Sequence, residues 1–271
     1  MFMKGFGNKK YPPNFMIGAV ITSIMLLLIL MSFFYTPYDT TKMDSVSKLA
    51  APSLRHLMGC DNFGRDIFSR VLKGMQNTFV IAFLTVIIGT VGGIIIGAFT
   101  GYFGGWIDEV LMRIIDVVFA FPSILLALVF VSIFGTGRYN VVAALGVAFI
   151  PSFARIVRSE FIKYREMDYV KSARLAGVGR LRIIFVHILP NTFTVLVSSI
   201  MIGFNNAVLA EAGMSYLGIG VQPPDASLGS MLSESQTYLF SAPWYAIFPG
   251  LMIILLVLGF SLLADGIKAK A

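Results

Sequence analysis

The sequence predicts an all-α membrane protein with six transmembrane helices, and three observations carry that prediction. Hydrophobic residues make up 57% of the chain and charged residues only 13%, with a mean hydropathy of +0.83. A soluble globule rarely has that balance. Apolar runs of about 20 residues, the length that crosses a bilayer core, recur along the chain. The polar stretches between them carry most of the Lys and Arg, which bias a loop toward the cytoplasm.

The first element, residues 1–14, is short and basic, with Lys4, Lys9 and Lys10. It is expected to be cytoplasmic. The run Phe15 to Tyr35 is longer than the apolar core of a signal peptide and ends in Phe-Phe-Tyr-Thr-Pro rather than a cleavage site. It is read as an uncleaved first span, 15–35. Residues 36–75 form a polar loop on the opposite, extracytoplasmic side, with an amphipathic stretch from Asp66 to Lys73. The rest, 76–264, is one core domain of five spans.

Within that domain the second span covers Gln76 to Phe103. Gly89, Gly93, Gly97, Gly101 and Gly105 recur every fourth residue, a smooth ridge that lets another helix approach closely. The third span, Leu111 to Phe134, holds Pro122 and Asp116. A charge at membrane depth is costly, so Asp116 is a functional candidate, with Arg113 one turn back as its expected ion-pair partner. The fourth span, Asn140 to Phe153, is expected to kink at Pro151. The fifth runs from about Asn191 to Tyr216 and contains Asn205 and Glu211. Pro223-Pro224 and nearby glycines mark a fixed loop beyond it rather than a helix. The sixth span is Trp244 to Leu263, followed by a cytoplasmic tail, 265–271.

Between the fourth and fifth spans lies the polar loop 155–190. It carries Arg155, Arg158, Lys163, Arg165, Lys171, Arg174, Arg180 and Arg182 against Glu160, Glu166 and Asp168, and so should face the cytoplasm. Val170, Ala173, Leu175 and Ala176 are spaced as one helical face. Gly177 and Gly179 break that helix, and a second run, Leu181 to Leu189, stops at Pro190. Two short helices joined by a glycine elbow suit docking into a partner's groove.

Several function classes recede at this point. The formal charge of +7 comes without the aromatic-interleaved basic stripe that binds bases, so no nucleic-acid partner is expected. It fits topology and lipid headgroups. Cys60 is the single cysteine, and His56 and His187 are the only histidines. Neither a disulfide within the chain nor a histidine-built metal site is expected. GMSYLG at 213–218 places its second glycine one residue late for a serine-hydrolase elbow. No G-x-x-x-x-G-K-[ST] is present to cradle ATP phosphates. The chain is therefore not expected to be an enzyme, and any energy for transport must come from a partner.

Four stretches carry a resemblance. His56, Gly59, Asp61, Gly64, Arg65, Asp66, Ser69, Arg70 and Gly74 fit H-x-x-G-x-D-x-x-G-R-D-x-x-S-R-x-x-x-G. Tyr102 to Pro122 fits Y-x-G-G-x-x-D-x-x-x-M-R-x-x-D-x-x-x-A-x-P. Gly177 is followed by Ile188-Leu189-Pro190, and Glu211 to Leu232 reads EAGMSYLGIGVQPPDASLGSML. Together they resemble the peptide and nickel permeases of ABC importers. In that family the Gly177 stretch is the "EAA" coupling loop, although the Glu-Ala-Ala here reads Lys171, Ser172 and Ala173.

The resemblance implies a type I importer permease fold in the plasma (inner) membrane of a prokaryote, with both termini cytoplasmic. It implies a second homologous permease, two cytoplasmic ATPases that hold ATP and Mg, and an extracytoplasmic solute-binding protein. This chain itself would bind no cofactor. Coupling would fall to Tyr169, Ser172, Ala173, Ala176, Gly177, Leu189 and Pro190. Asp61, Gly64, Arg65 and Asp66 would form a signature loop, with Asp61, Arg65 and Asp66 as a local charge network. Glu211 and Asn205 are the pathway candidates. The expected substrates are di- or oligopeptides, with nickel or a metal chelate as the alternative. A self-sufficient ion-coupled carrier would need its own intramembrane acids, and only Asp116 and Glu211 are available.

Overall fold

In a bilayer every backbone polar group must find a partner within the chain, so each apolar run closes into a helix. A computed structural model describes residues 13–268; Lys4, Lys9, Lys10 and the last three residues of the basic tail lie outside that range. Among the described residues the structure is helical, with no strand. The helices are α1 (Pro13–Phe34), α2 (Ile67–Phe103), α3 (Gly105–Phe119), α4 (Ser123–Phe134) and α5 (Arg138–Arg165). They continue with α6 (Asp168–Leu175), α7 (Arg180–Arg182), α8 (Phe193–Tyr216), α9 (Leu228–Ser235) and α10 (Trp244–Lys268). Among the described residues, five helical stretches are long and apolar enough to span a membrane. They become six when α3 and α4, bent by 84° at their junction, count as one span.

The glycine ridge of α2 is a packing surface. A Cβ on Gly93 would stand 2.9 Å from the Ala154 backbone, and one on Gly101 would stand 2.6 Å from Phe161 Cβ. α2 and α5 therefore touch almost backbone to backbone. Gly105 is not part of the ridge, because α2 ends at Phe103 and Gly105 opens α3 at φ +55° with nothing near its Cβ position. Gly18 and Gly259 do the same work where α1 packs on α10.

Several boundaries differ from the sequence reading. α2 starts at Ile67 rather than Gln76, since Asp66 caps it and the helix runs on through Gly74, where α9 packs closely. α5 continues through Pro151 to Arg165. The third span is two helices: Pro122 stands at the N-terminus of α4, where its missing N–H costs nothing. Pro190 stops no helix. α7 passes through a π turn, Ile183–Ile188, and a 3-10 turn, Leu189–Thr192, straight into α8. The wider π turn and the tighter 3-10 turn together absorb the donor that proline lacks. The stretch after Tyr216 is a turn that leads into a further helix, α9, where a fixed loop alone was expected.

The apolar core divides in two. The larger cluster joins α1, α2, α4, α5, α8, α9 and α10. The smaller lies at the far end of α2, where Ala98, Tyr102, Val157 and Phe161 meet Val170, Ile183, Ile184 and Ile188. The 35–66 segment and α9 lie at one end of α2, and α6 lies at the other.

Candidate functional site

The α6 elbow is built from local rules. Asp168 in the first turn and Arg174 in the last suit the helix dipole. Gly177, at φ +76°, ends the helix in a left-handed turn. Its N–H donates to the Arg174 carbonyl at 3.1 Å, and the Val178 N–H donates to the Ala173 carbonyl at 3.1 Å. These two bonds are a Schellman cap. Val170 is fully buried, and Ala173 and Val178 pack on the same small core. The opposite face points outward.

Leu175 is 90% exposed. Tyr169, Ser172, Ala176 and Gly177 are also exposed. Asn191 Nδ2 donates to the Tyr169 hydroxyl at 3.4 Å, and partial burial pushes that phenol above its usual range. Lys171, Arg174, Arg180 and Arg182 ring the elbow and form no ion pair among the described residues. Leu189 and Pro190 sit apart from this tip, on the continuous helix that leads into α8. Leu189 is half-buried and Pro190 exposed.

The signature loop is a buried charge network. Asp61 is wholly buried and accepts from the Phe63 and Arg65 N–H groups at 2.8 and 2.9 Å, and from Arg65 Nε at 2.6 Å. It also pairs with Arg70. Both arginines reach on to Glu234 of α9: Arg70 donates to it at 2.9 and 3.1 Å and Arg65 at 3.2 Å. The Tyr245 hydroxyl of α10 closes the set on the same carboxylate.

Asp66 caps α2 through the Ser69 N–H at 2.8 Å and holds His56 Nδ1 at 2.9 Å. Gly59 and Gly64 take positive φ, and backbone from Ala50 and Asp44 fills their Cβ positions. Gly74 lets α2 lie on the start of α9. All nine motif positions thus close one joint between the loop, α2, α9 and α10. Glu234 escaped the sequence reading. Its signal was that it is the only charged residue between Asp225 and Asp265, and such a lone acid needs a partner.

The pathway candidates face the packed side. Glu211 is fully buried and accepts from the Ser215 hydroxyl at 2.7 Å, and Ser215 in turn holds the Val221 N–H at 3.1 Å. Asn205 is 8% exposed. Its neighbour Asn206 is turned instead into an open furrow between α4, α5 and α8. Asp116 pairs with Arg155 of α5 at 2.7 Å rather than with Arg113. α3 packs on α5, and the Arg155 guanidinium also lies 3.9 Å over the Phe119 ring. Asp108 likewise holds Arg158, through two bonds of 2.5 and 2.6 Å.

Residues 93–270 match the family model described as binding-protein-dependent transport system inner membrane component. The chain belongs to this family. It is 37% identical over 252 residues to the dipeptide transport system permease protein DppC of Alkalihalophilus pseudofirmus, covering 93% of this chain and 83% of that one. It is 40% identical over 255 residues to the glutathione transport system permease protein GsiD of Pectobacterium atrosepticum, covering 92% and 85%. A solved structure of the MetNI methionine ABC transporter in an inward-facing conformation aligns with a TM-score of 0.61 at 18% identity, over 74% of this permease and 96% of that chain. That likeness supports the type I importer fold alone. Among the described residues no three His, Cys, Asp or Glu side chains gather as metal ligands.

Proposed function

We propose that this chain is a membrane-spanning permease subunit of an ATP-driven peptide importer. It forms the passage with a second, homologous permease and receives substrate from an extracytoplasmic binding protein. The elbow docks into a groove on a cytoplasmic ATPase, and two such ATPases hold the ATP and Mg. Both termini and the elbow then lie in the cytoplasm of a prokaryote. The distribution of Lys and Arg supports that orientation, since the elbow side holds most of them.

The observation that carries the docking role is the 90% exposed Leu175 on a short helix whose other face is anchored by Val170 and capped at Gly177. An exposed apolar side chain on a rigid stub is what a groove binds. The peptide assignment rests on the dipeptide and glutathione permeases to which the chain is similar. ATP binding would move the elbow, and the continuous α7–α8 helix would carry that movement into the fifth span.

Uptake of a labelled dipeptide and of nickel in cells lacking only this chain tests the reading. Loss of dipeptide uptake alone is expected. Loss of nickel uptake alone would overturn the peptide assignment.

A further inference from the structure

Two grooves of similar size run along the spans, and their walls differ. The one between α1, α2, α8 and α10, about 450 Å³, is walled by residues such as Phe79, Phe83, Ile200, Met201 and Phe260 and exposes no polar surface. Such a wall suits acyl chains. The other is the furrow between α4, α5 and α8, about 430 Å³. Among aromatic and aliphatic residues it presents Ser123, Ser152, Ser199 and Asn206, with no charged group. The Ser199 hydroxyl donates to the Val195 carbonyl at 2.8 Å. Ser123, Ser152 and Asn206 make no side-chain hydrogen bond among the described residues.

Unpaired hydroxyl and amide groups facing hydrocarbon cost several kcal/mol each. A face that keeps three of them open near the middle of α5 and α8 and at the start of α4 meets something polar. The backbone agrees. The 84° bend between α3 and α4 delivers Ser123 to the furrow, and broken helices at membrane depth are tolerated where they line a cavity. Gly203 completes the wall, because its missing Cβ leaves room for the Phe153 ring, 2.6 Å from that position.

We propose that this furrow is the substrate-contacting wall that the chain contributes, and that Asn206 and Ser152 hydrogen-bond the main-chain amides of a passing peptide. The proposal rests on the peptide-permease reading. A carboxamide offers two donors and an acceptor, and a hydroxyl offers one donor and two acceptor lone pairs, so together they match a peptide group whatever its side chain. With no charge on the wall, acidic, basic and neutral peptides meet the same surface. It also offers no carboxylate, imidazole or thiolate for a bare metal ion.

The complete transporter in lipid vesicles, with its binding protein and ATPases, provides the test. Cys60 is fully buried, so an introduced cysteine is the reporter. A membrane-impermeant methanethiosulfonate reagent should modify Asn206→Cys at least about tenfold faster than Met201→Cys, which faces the apolar groove, and saturating dipeptide should slow it. Equal rates, or no modification of Asn206→Cys in any nucleotide state, would overturn the proposal. Asn206→Leu should lower dipeptide uptake about tenfold, the effect of losing one well-placed hydrogen bond, while binding-protein-stimulated ATPase activity persists. Undiminished uptake by Asn206→Leu would also overturn it. An unmodified complex that carries no peptide overturns the peptide reading. An unlabelled Asn206→Cys in a complex that does carry peptide overturns the furrow alone.

Discussion

One end of α2 is locked and the other is open. At the loop end Asp61, Arg65, Arg70 and Glu234 neutralise one another with little contact with solvent, and the joint reaches across the loop, α2, α9 and α10. At the elbow end α6 rests on the protein through Val170 and Ala173, Arg174 and Arg180 lie over the rings of Tyr102 and Phe103, and Leu175 faces outward. The locked end works by setting each charge it buries against an opposite one. Under the proposed function, the open end offers a partner an apolar side chain and four cations that form no ion pair among the described residues. Their failures should therefore differ. Damage to the lock should cost the fold, and damage to the elbow should cost the partner.

The largest effect is expected at the lock. Arg70→Met leaves Asp61 and Glu234 short of a cation, and breaking a buried pair from one side costs about 3–5 kcal/mol. Thermal melting of the detergent-purified chain should fall steeply, and an unchanged melt would show that the network holds nothing. Gly93→Leu comes next. Its side chain would meet the Ala154 backbone, and overpacking of this kind costs about 1–3 kcal/mol. α2 and α5 should separate, measurable as lost crosslinking between cysteines placed on the two helices. Gly177→Ala is milder. Space is free around that Cβ, but φ +76° costs about 1–2 kcal/mol for a residue other than glycine. The elbow should fray, with raised hydrogen exchange confined to 168–178. The smallest effect concerns Cys60. Burial pushes its thiol up to about 11, so alkylation of the folded chain at pH 8 should be negligible and should appear only on unfolding.

Much of this contrast was legible in the sequence, and the exceptions have physical causes. The spans followed from hydropathy, because hydrocarbon leaves the backbone no other choice. The glycine ridge and the Gly177 turn followed from spacing and from the one residue that tolerates positive φ. Pro190 was misleading because a proline ends a helix only if the preceding turn cannot widen, and here Ile183–Ile188 does widen into a π turn. Asp116 was assigned to its neighbour in sequence, whereas Arg155, remote in the chain, had the better geometry. Asn205 and Asn206 cannot be told apart by composition. One step along a helix turns a side chain by about 100°, and that step separates the packed side from the furrow. Glu234 was hidden because its partners lie far back in the chain.

Leu175→Asp tests the contrast between the two ends most directly. Leu175 is 90% exposed, so the substitution should leave the melting temperature of the purified permease unchanged. The measurement is co-purification of the ATPase subunits with that variant. A fully folded permease stripped of its ATPases and of ATP-driven uptake is expected. Wild-type retention of the ATPases with wild-type uptake would contradict it.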